Sequence, residues 1–381
     1  DGRDVEELTR ALHDATRPLI YAGDGVWKSG AIAQLTALAE HFGVPITGYQ
    51  PSVPFAHPLH CGAPQQAAAA VDPDFMLAIG VRHTGGGGVN DFAPFATVDR
   101  IMAIGPDVRN LKGIPGIDLA ILADERRTLE SIALLGPDTV RFADRRTWAQ
   151  EVAASLRSAR HEAARGGASQ PSRVRAWRLG EALDYALERA GGGLVMIEQF
   201  AIPIDTVGDT DGPARNRYLH AAGGSEGYGV GATVGVKLAA PDRPVVGLVG
   251  DGSLYYADSG MWTAAHHGVP VLYVVPNNGA YGIVANSFQR GAKTMSETGE
   301  YAGVVLGGID PVKIAEGFGV EGMHVEDESR LEEAIAHGLG VTESEARPFL
   351  LNVRLPLGLP EGGREAPPYR LAAAKANDQA A

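Results

Sequence analysis

The chain has 381 residues, 45% of them apolar and 21% charged, a globular composition long enough for two domains at roughly 150 residues each. A formal charge of −13 argues against a nucleic-acid partner, because phosphate backbones are held by a surplus of Lys and Arg. The single cysteine, Cys61, excludes an intrachain disulfide and fits a reducing, cytoplasmic setting, and no apolar run is long enough to span a membrane.

The first half alternates short apolar strands with helices. Asp4 to Asp14 reads as a helix, and Pro18 to Ala22 as a strand that ends in Gly23-Asp24-Gly25. Ser29 is expected to cap the next helix, which runs to about Phe42. Val44 to Thr47, Phe75 to Gly80, Arg100 to Gly105 and Leu119 to Leu122 repeat the strand pattern, and a long helix follows from Asp144 to Arg165. Strands that are apolar along their whole length and alternate with helices imply a parallel sheet covered on both faces.

The Gly/Ser/Pro stretch 166–172 breaks this pattern and is taken as a linker between a domain of residues 1–165 and one of residues 173–356. The second domain opens with a helix from Arg173 to Ala190 and a strand from Leu194 to Ile197. Residues 226–240 are Gly-rich but helical in pattern, Pro244 to Val249 and Pro270 to Val275 are buried strands, and Asp310-Pro311 starts a helix. Another helix starts at Asp327, and Phe349 to Val353 is the last strand. Residues 357–381 are expected to form a loose tail. The fold expected is α/β, with two doubly wound parallel-sheet domains.

The chemistry concentrates in the second domain. Gly250-Asp251-Gly252-Ser253 directly follows one strand, and Asn277-Asn278 directly follows another. A helical stretch lies between them, so the two strands should be parallel and bring the Asp251 carboxylate and the Asn278 amide oxygen to one sheet edge, where open α/β sheets bind ligands. One carboxylate with one amide oxygen suits Mg²⁺, which completes its shell with phosphate oxygens and water. Gly252 and Ser253 offer N–H and hydroxyl donors that, with a helix N-terminus, would cradle a diphosphate.

These motifs resemble the signature of thiamine-diphosphate enzymes, within the acetolactate synthase and benzoylformate decarboxylase group. Ala221-Ala222-Gly223-Gly224, Trp262-Thr263-Ala264-Ala265 and Asn277-Asn278-Gly279-Ala280-Tyr281-Gly282 agree with it. The resemblance covers nearly the whole chain, its first half as that group's middle domain and its second as the diphosphate-binding domain. It implies Mg²⁺ on Asp251, Asn278 and the Ala280 carbonyl. It implies thiamine diphosphate against Gly252, Ser253 and Tyr281, with the Gly224 carbonyl toward the aminopyrimidine. It further implies a lyase or transferase that decarboxylates a 2-oxo acid, or joins it to a second carbonyl compound, with the cofactor ring as electron sink. A hydrolytic or oxidative variant of that chemistry, or a non-catalytic regulatory paralogue, is the alternative.

The chain departs from the group in four ways. No segment resembles the N-terminal domain, whose glutamate activates the aminopyrimidine. Together with a start at Asp1 rather than Met, this leads us to expect a second polypeptide, or a further domain, carrying the pyrimidine-binding site, in an oligomer. Flavin-binding members carry acids after a strand where this chain has Met102-Ala103-Ile104-Gly105-Pro106, so no flavin is expected. Glu198 ends a strand at the same edge, but Phe200, Ala201 and Ile202 follow it and argue against diphosphate contact from that loop. Glu226 falls where relatives place a bulky apolar residue beneath the cofactor; a carboxylate there would tune reactivity, by charge or as an acid–base group. His220 is a second candidate for substrate contact, whereas His266 and His267 read as a packed or solvated helix face.

Overall fold

The computed structural model describes residues 2–48, 53–55, 57–82, 91–133, 142–165, 170–202, 218–220 and 226–367. The chain forms two compact units, one of Asp1–Gly167 with Pro203–Ser225 and the other of Ala168–Ile202 with Glu226–Ala381. Both are parallel α/β sheets, the fold class expected.

In the first unit the strands are β1 (Pro18–Ala22), β2 (Ile46–Thr47), β3 (Phe75–Ile79), β4 (Arg100–Gly105) and β5 (Ile117–Leu122), in the order β2-β1-β3-β4-β5. Leu19, Tyr21, Met76 and Ala78 enter one apolar cluster, and Ile20, Ala22, Leu77 and Ile79 enter another. Successive strand residues point to opposite faces, so burial of both sets makes these strands apolar throughout. Ser29 does not cap the helix Ile32–Phe42, whose N-cap is Ala31. A separate turn of helix, Gly25–Lys28, intervenes, and the Ser29 hydroxyl donates back to the Val26 carbonyl.

The second unit contains β6 (Leu194–Glu198), β8 (Val245–Val249), β9 (Leu272–Asn277), β10 (Glu300–Tyr301), β11 (Glu321–Val325), β12 (Phe349–Arg354) and β13 (Arg364–Glu365), and β7 (Tyr218–His220) is the edge strand of its main sheet. Its main sheet has the order β11-β12-β9-β8-β6-β7, with β6, β8, β9, β12 and β11 successively parallel. The helix Gly229–Ala239 presses closely on β8: a Cβ at Gly247 would lie 2.4 Å from Thr233 Oγ1. Asp310 caps the helix Pro311–Gly317 by accepting the Val312 N–H, as its Asp-Pro start implied.

Within the segment expected to be a loose tail, residues 357–367 are tied to the unit. The Gly358 N–H donates to the Asn278 carbonyl, and β13 pairs in parallel with β10. The expected 166–172 linker is described only from Gln170 onward. Among the described residues, no helix is long and apolar enough to cross a membrane.

Candidate functional site

A cleft of about 290 Å³ opens at the C-terminal ends of β6, β8 and β9. Val246 pairs with Leu272 and Leu248 with Val274, so the parallel ladder carries the loops after β8 and β9 to one edge. Of the expected site residues, Glu226, Asp251, Gly252, Ser253, Asn278, Ala280 and Tyr281 all line this cleft. Gly224 and the His220 side chain lie outside the described residues, although His220 itself ends β7.

Asp251 follows Gly250 and starts a short helical turn to Leu254, which leaves its carboxylate 3% exposed. Asp251 Oδ2 accepts the Gly279 N–H at 2.9 Å. Burial pushes its pKa up to about 6, opposed by N–H groups from Gly252 and Gly279. Among the described residues no cationic side chain pairs with it.

Asn278 closes a tight turn, its Oδ1 accepting the Ala280 N–H at 3.1 Å. Gly279 in that turn has φ 65°, a left-handed conformation that a side chain would strain. The Ala280 carbonyl accepts the Gly282 N–H at 2.9 Å, which leaves its second lone pair. Tyr281 stacks on Tyr256 with ring centroids 6.0 Å apart, and a Cβ on Gly252 would come within 2.7 Å of the Tyr281 ring. A buried anion without a cation, beside amide and carbonyl oxygens, is the donor set of a hard divalent metal. Among the described residues no three His, Cys, Asp or Glu side chains cluster to hold a metal, so such a site would rest on one carboxylate and neutral oxygens.

Two acids sit beside this loop. The Ser253 hydroxyl donates to Glu226 Oε2 at 2.7 Å. Glu198, 3% exposed at the end of β6, accepts the backbone N–H groups of Gly227 and Gly229 at the start of the helix Gly229–Ala239. Burial raises the Glu198 pKa, and the nearby Glu226 adds to that. Sequence reasoning missed this capping role, since nothing local to Glu198 announces a helix that begins 31 residues later. His266 lies on the surface stacked on Trp262, at 4.7 Å between centroids, the helix-face role expected of it.

Residues 210–353 match the family model of the thiamine pyrophosphate enzyme C-terminal TPP binding domain. Residues 5–132 match the central domain of thiamine pyrophosphate enzymes. A benzoylformate decarboxylase from Pseudomonas aeruginosa is 36% identical over 136 residues, 36% of this chain and 24% of the relative. The acetolactate synthase large subunit of Corynebacterium glutamicum is 26% identical over 375 residues, 92% of this chain and 56% of the relative. The solved thiamine diphosphate-dependent 4-hydroxybenzoylformate decarboxylase from Rhodococcus jostii superposes with a TM-score of 0.70 at 25% identity, over 94% of this chain and 64% of that one. The chain thus spans only part of the length of such relatives.

Proposed function

Because the chain carries the central domain and the C-terminal binding domain of thiamine pyrophosphate enzymes, we propose that it serves thiamine-diphosphate- and Mg²⁺-dependent decarboxylation or carboligation of a 2-oxo acid. The observation that carries this reading is the buried Asp251 carboxylate, without a cationic partner among the described residues, at one edge with Asn278. When bound, the cofactor supplies an electron sink at the carbon next to a carbonyl.

In this reading Asp251, Asn278 and the Ala280 carbonyl hold the metal. Gly252, Ser253 and Tyr281 face the diphosphate, and the metal offsets the charge of an anionic ligand beside acidic residues. Gly224 accepts from the aminopyrimidine, and His220 is the candidate for substrate contact. Glu226 adjusts how tightly the cofactor is held and how it reacts. The pyrimidine-binding domain comes from outside these 381 residues, on a second chain or as a further domain, and the working form is an oligomer. A reducing compartment agrees with the free, buried thiol of Cys61.

A second reading, a non-catalytic regulatory paralogue, draws on one observation. Glu226 engages the Ser253 hydroxyl that a diphosphate would use. The test is retention of thiamine diphosphate and divalent metal by the purified protein, assayed after denaturation. The proposal expects retention in the wild type and its loss in Asp251→Ala. Wild-type affinity in that variant would refute the metal assignment, and no cofactor in either protein, even with excess Mg²⁺ supplied, would favour the paralogue.

A further inference from the structure

Three polar side chains join across one face of the second sheet. His324 on β11 stands opposite Asn352 on β12, and Asn352 stands opposite Val275 on β9. Asn277 is two residues beyond Val275 and shares its face. The three join laterally: Asn277 Nδ2 donates to Asn352 Oδ1 at 3.0 Å, and Asn352 Nδ2 lies 2.9 Å from His324 Nδ1. Asn352 is 2% exposed, and an amide buried in a strand of Phe349, Leu350, Leu351 and Val353 is costly unless both its ends are bonded.

A backbone group fixes the direction of this chain. The Gly279 N–H can only donate, and it is shared between Asp251 Oδ2 at 2.9 Å and Asn277 Oδ1 at 3.0 Å. Asn277 must therefore turn its nitrogen to Asn352, which presents its oxygen there and its own nitrogen to His324. His324 Nδ1 is thus an acceptor, and the ring proton sits on Nε2, 3.5 Å from Asp310 Oδ1. Asp310 is in turn held by the Val312 N–H at 3.0 Å.

We infer that Asn352 and His324 are positioning residues for the turn after β9 that carries Asn278 and donates to Asp251, acting through the Asn277 amide and the shared Gly279 N–H. The inference rests on the proposed metal role of that loop. Loss of the acceptor at His324 frees the Asn352 amide to turn, Asn277 loses its orientation, and the Gly279 turn loosens beside both ligands. Groups bonded directly to metal ligands change metal affinity by roughly 10- to 100-fold in metalloproteins generally, and supports one or two bonds further out act at the lower end of that range.

The test is Mn²⁺ binding, followed by electron paramagnetic resonance in the presence of thiamine diphosphate, alongside the thermal unfolding midpoint. His324→Leu removes the acceptor, whereas His324→Gln offers a side-chain oxygen in its place. Asn352→Leu breaks both links. We expect His324→Leu and Asn352→Leu to bind Mn²⁺ about ten-fold more weakly or worse, and His324→Gln to remain within about two-fold of wild type. His324→Gln should unfold near the wild-type midpoint, whereas His324→Leu, which leaves the buried Asn352 amide without its partner, should unfold a few degrees lower yet stay folded at the temperature of the binding assay; the two carry the test even if Asn352→Leu does not fold. Equal Mn²⁺ affinity in His324→Leu and wild type would overturn the inference, as would equal weakening in His324→Gln and His324→Leu. Folded wild-type protein that takes up no Mn²⁺ would overturn the metal site itself, and this inference with it.

Discussion

The Ser253 hydroxyl is given to Glu226, 2.7 Å away, and not to the open cleft. A diphosphate bound at Ser253 must break that bond and approach a carboxylate. Glu226→Gln removes the charge, and Glu226→Leu installs the apolar type that the family resemblance implies there. Both should bind thiamine diphosphate roughly three- to ten-fold more tightly, the scale of one screened unit charge across a solvent-open cleft. Titration calorimetry with Mg²⁺ present measures this. Unchanged or weaker binding in both variants would show that Glu226 does not face the diphosphate.

Gly358 is pressed against the amide of Asn278. A Cβ there would lie 2.3 Å from Nδ2 and 2.6 Å from Cγ. Asn278 has little room to yield, because its Oδ1 holds the Ala280 N–H and its carbonyl accepts from Gly358 itself. Gly358→Ala should therefore displace the amide and weaken divalent metal binding by about ten-fold, with roughly 1–3 kcal/mol of lost stability from overpacking. Gly340→Ala, with nothing within 4 Å, is the control and should bind metal normally. Identical metal affinity in both variants would remove Asn278 from the ligand set.

How much of this was legible in the sequence depends on how far apart the cooperating residues are. The strands β1, β3 and β8 were visible because both faces of each are buried, which makes them apolar at every position. The Asp310-Pro311 start was visible because cap and first turn are adjacent. The loops of Asp251 and Asn278 could be brought together because a strand–helix–strand unit has one favoured hand. Ser29 misled because a four-residue turn of helix precedes the one it was expected to cap. Glu198 as a cap, and Asn352 and His324 as supports, depend on contacts between elements far apart in the chain, and no local pattern encodes them. The start of the expected tail is held by β13 and Gly358, pairings that composition does not reveal.

The first unit reverses its strand order between β1 and β3, where such folds bind nucleotides. The crevice of about 320 Å³ there is lined by Asp24, Asp107, Asp124 and Glu125 against Lys28 and Arg82. Both cations are engaged by Asp24, with Lys28 at 2.6 Å. Burial works against charging Asp24, but Arg82 and Lys28 outweigh it and hold its pKa below the usual range. Asp107 caps the next helix through the Arg109 N–H and pairs with the Arg109 side chain. A dinucleotide diphosphate would meet surplus negative charge. The purified protein should therefore show no flavin absorption band, and excess flavin adenine dinucleotide should not raise its unfolding midpoint. A protein-bound flavin band would sink this prediction.

His60 gives the first unit a sensitivity to acid. The ring is fully buried, its Nδ1 accepts the Gly62 N–H at 3.0 Å, and it meets the Phe55 ring edge-on at 5.1 Å. Burial lowers its pKa to about 3, helped by Arg160, Arg157 and His57. The folded state therefore keeps the ring neutral while the unfolded chain takes up a proton below pH ~6.5. Above that pH the group costs nothing, and as pH falls from ~6.5 toward about 3 the unfolded state binds more protons and stability is lost. Between pH 6.5 and 5 the contribution is roughly 2 kcal/mol. His60→Asn keeps an acceptor for the Gly62 N–H and cannot titrate. It should be less stable than wild type at pH 7, through lost packing on Phe55, yet lose less stability on going to pH 5. Denaturant unfolding at both pH values measures the two differences. Equal acid losses in the two proteins would mean that His60 is already protonated in the folded chain or opens to solvent before unfolding.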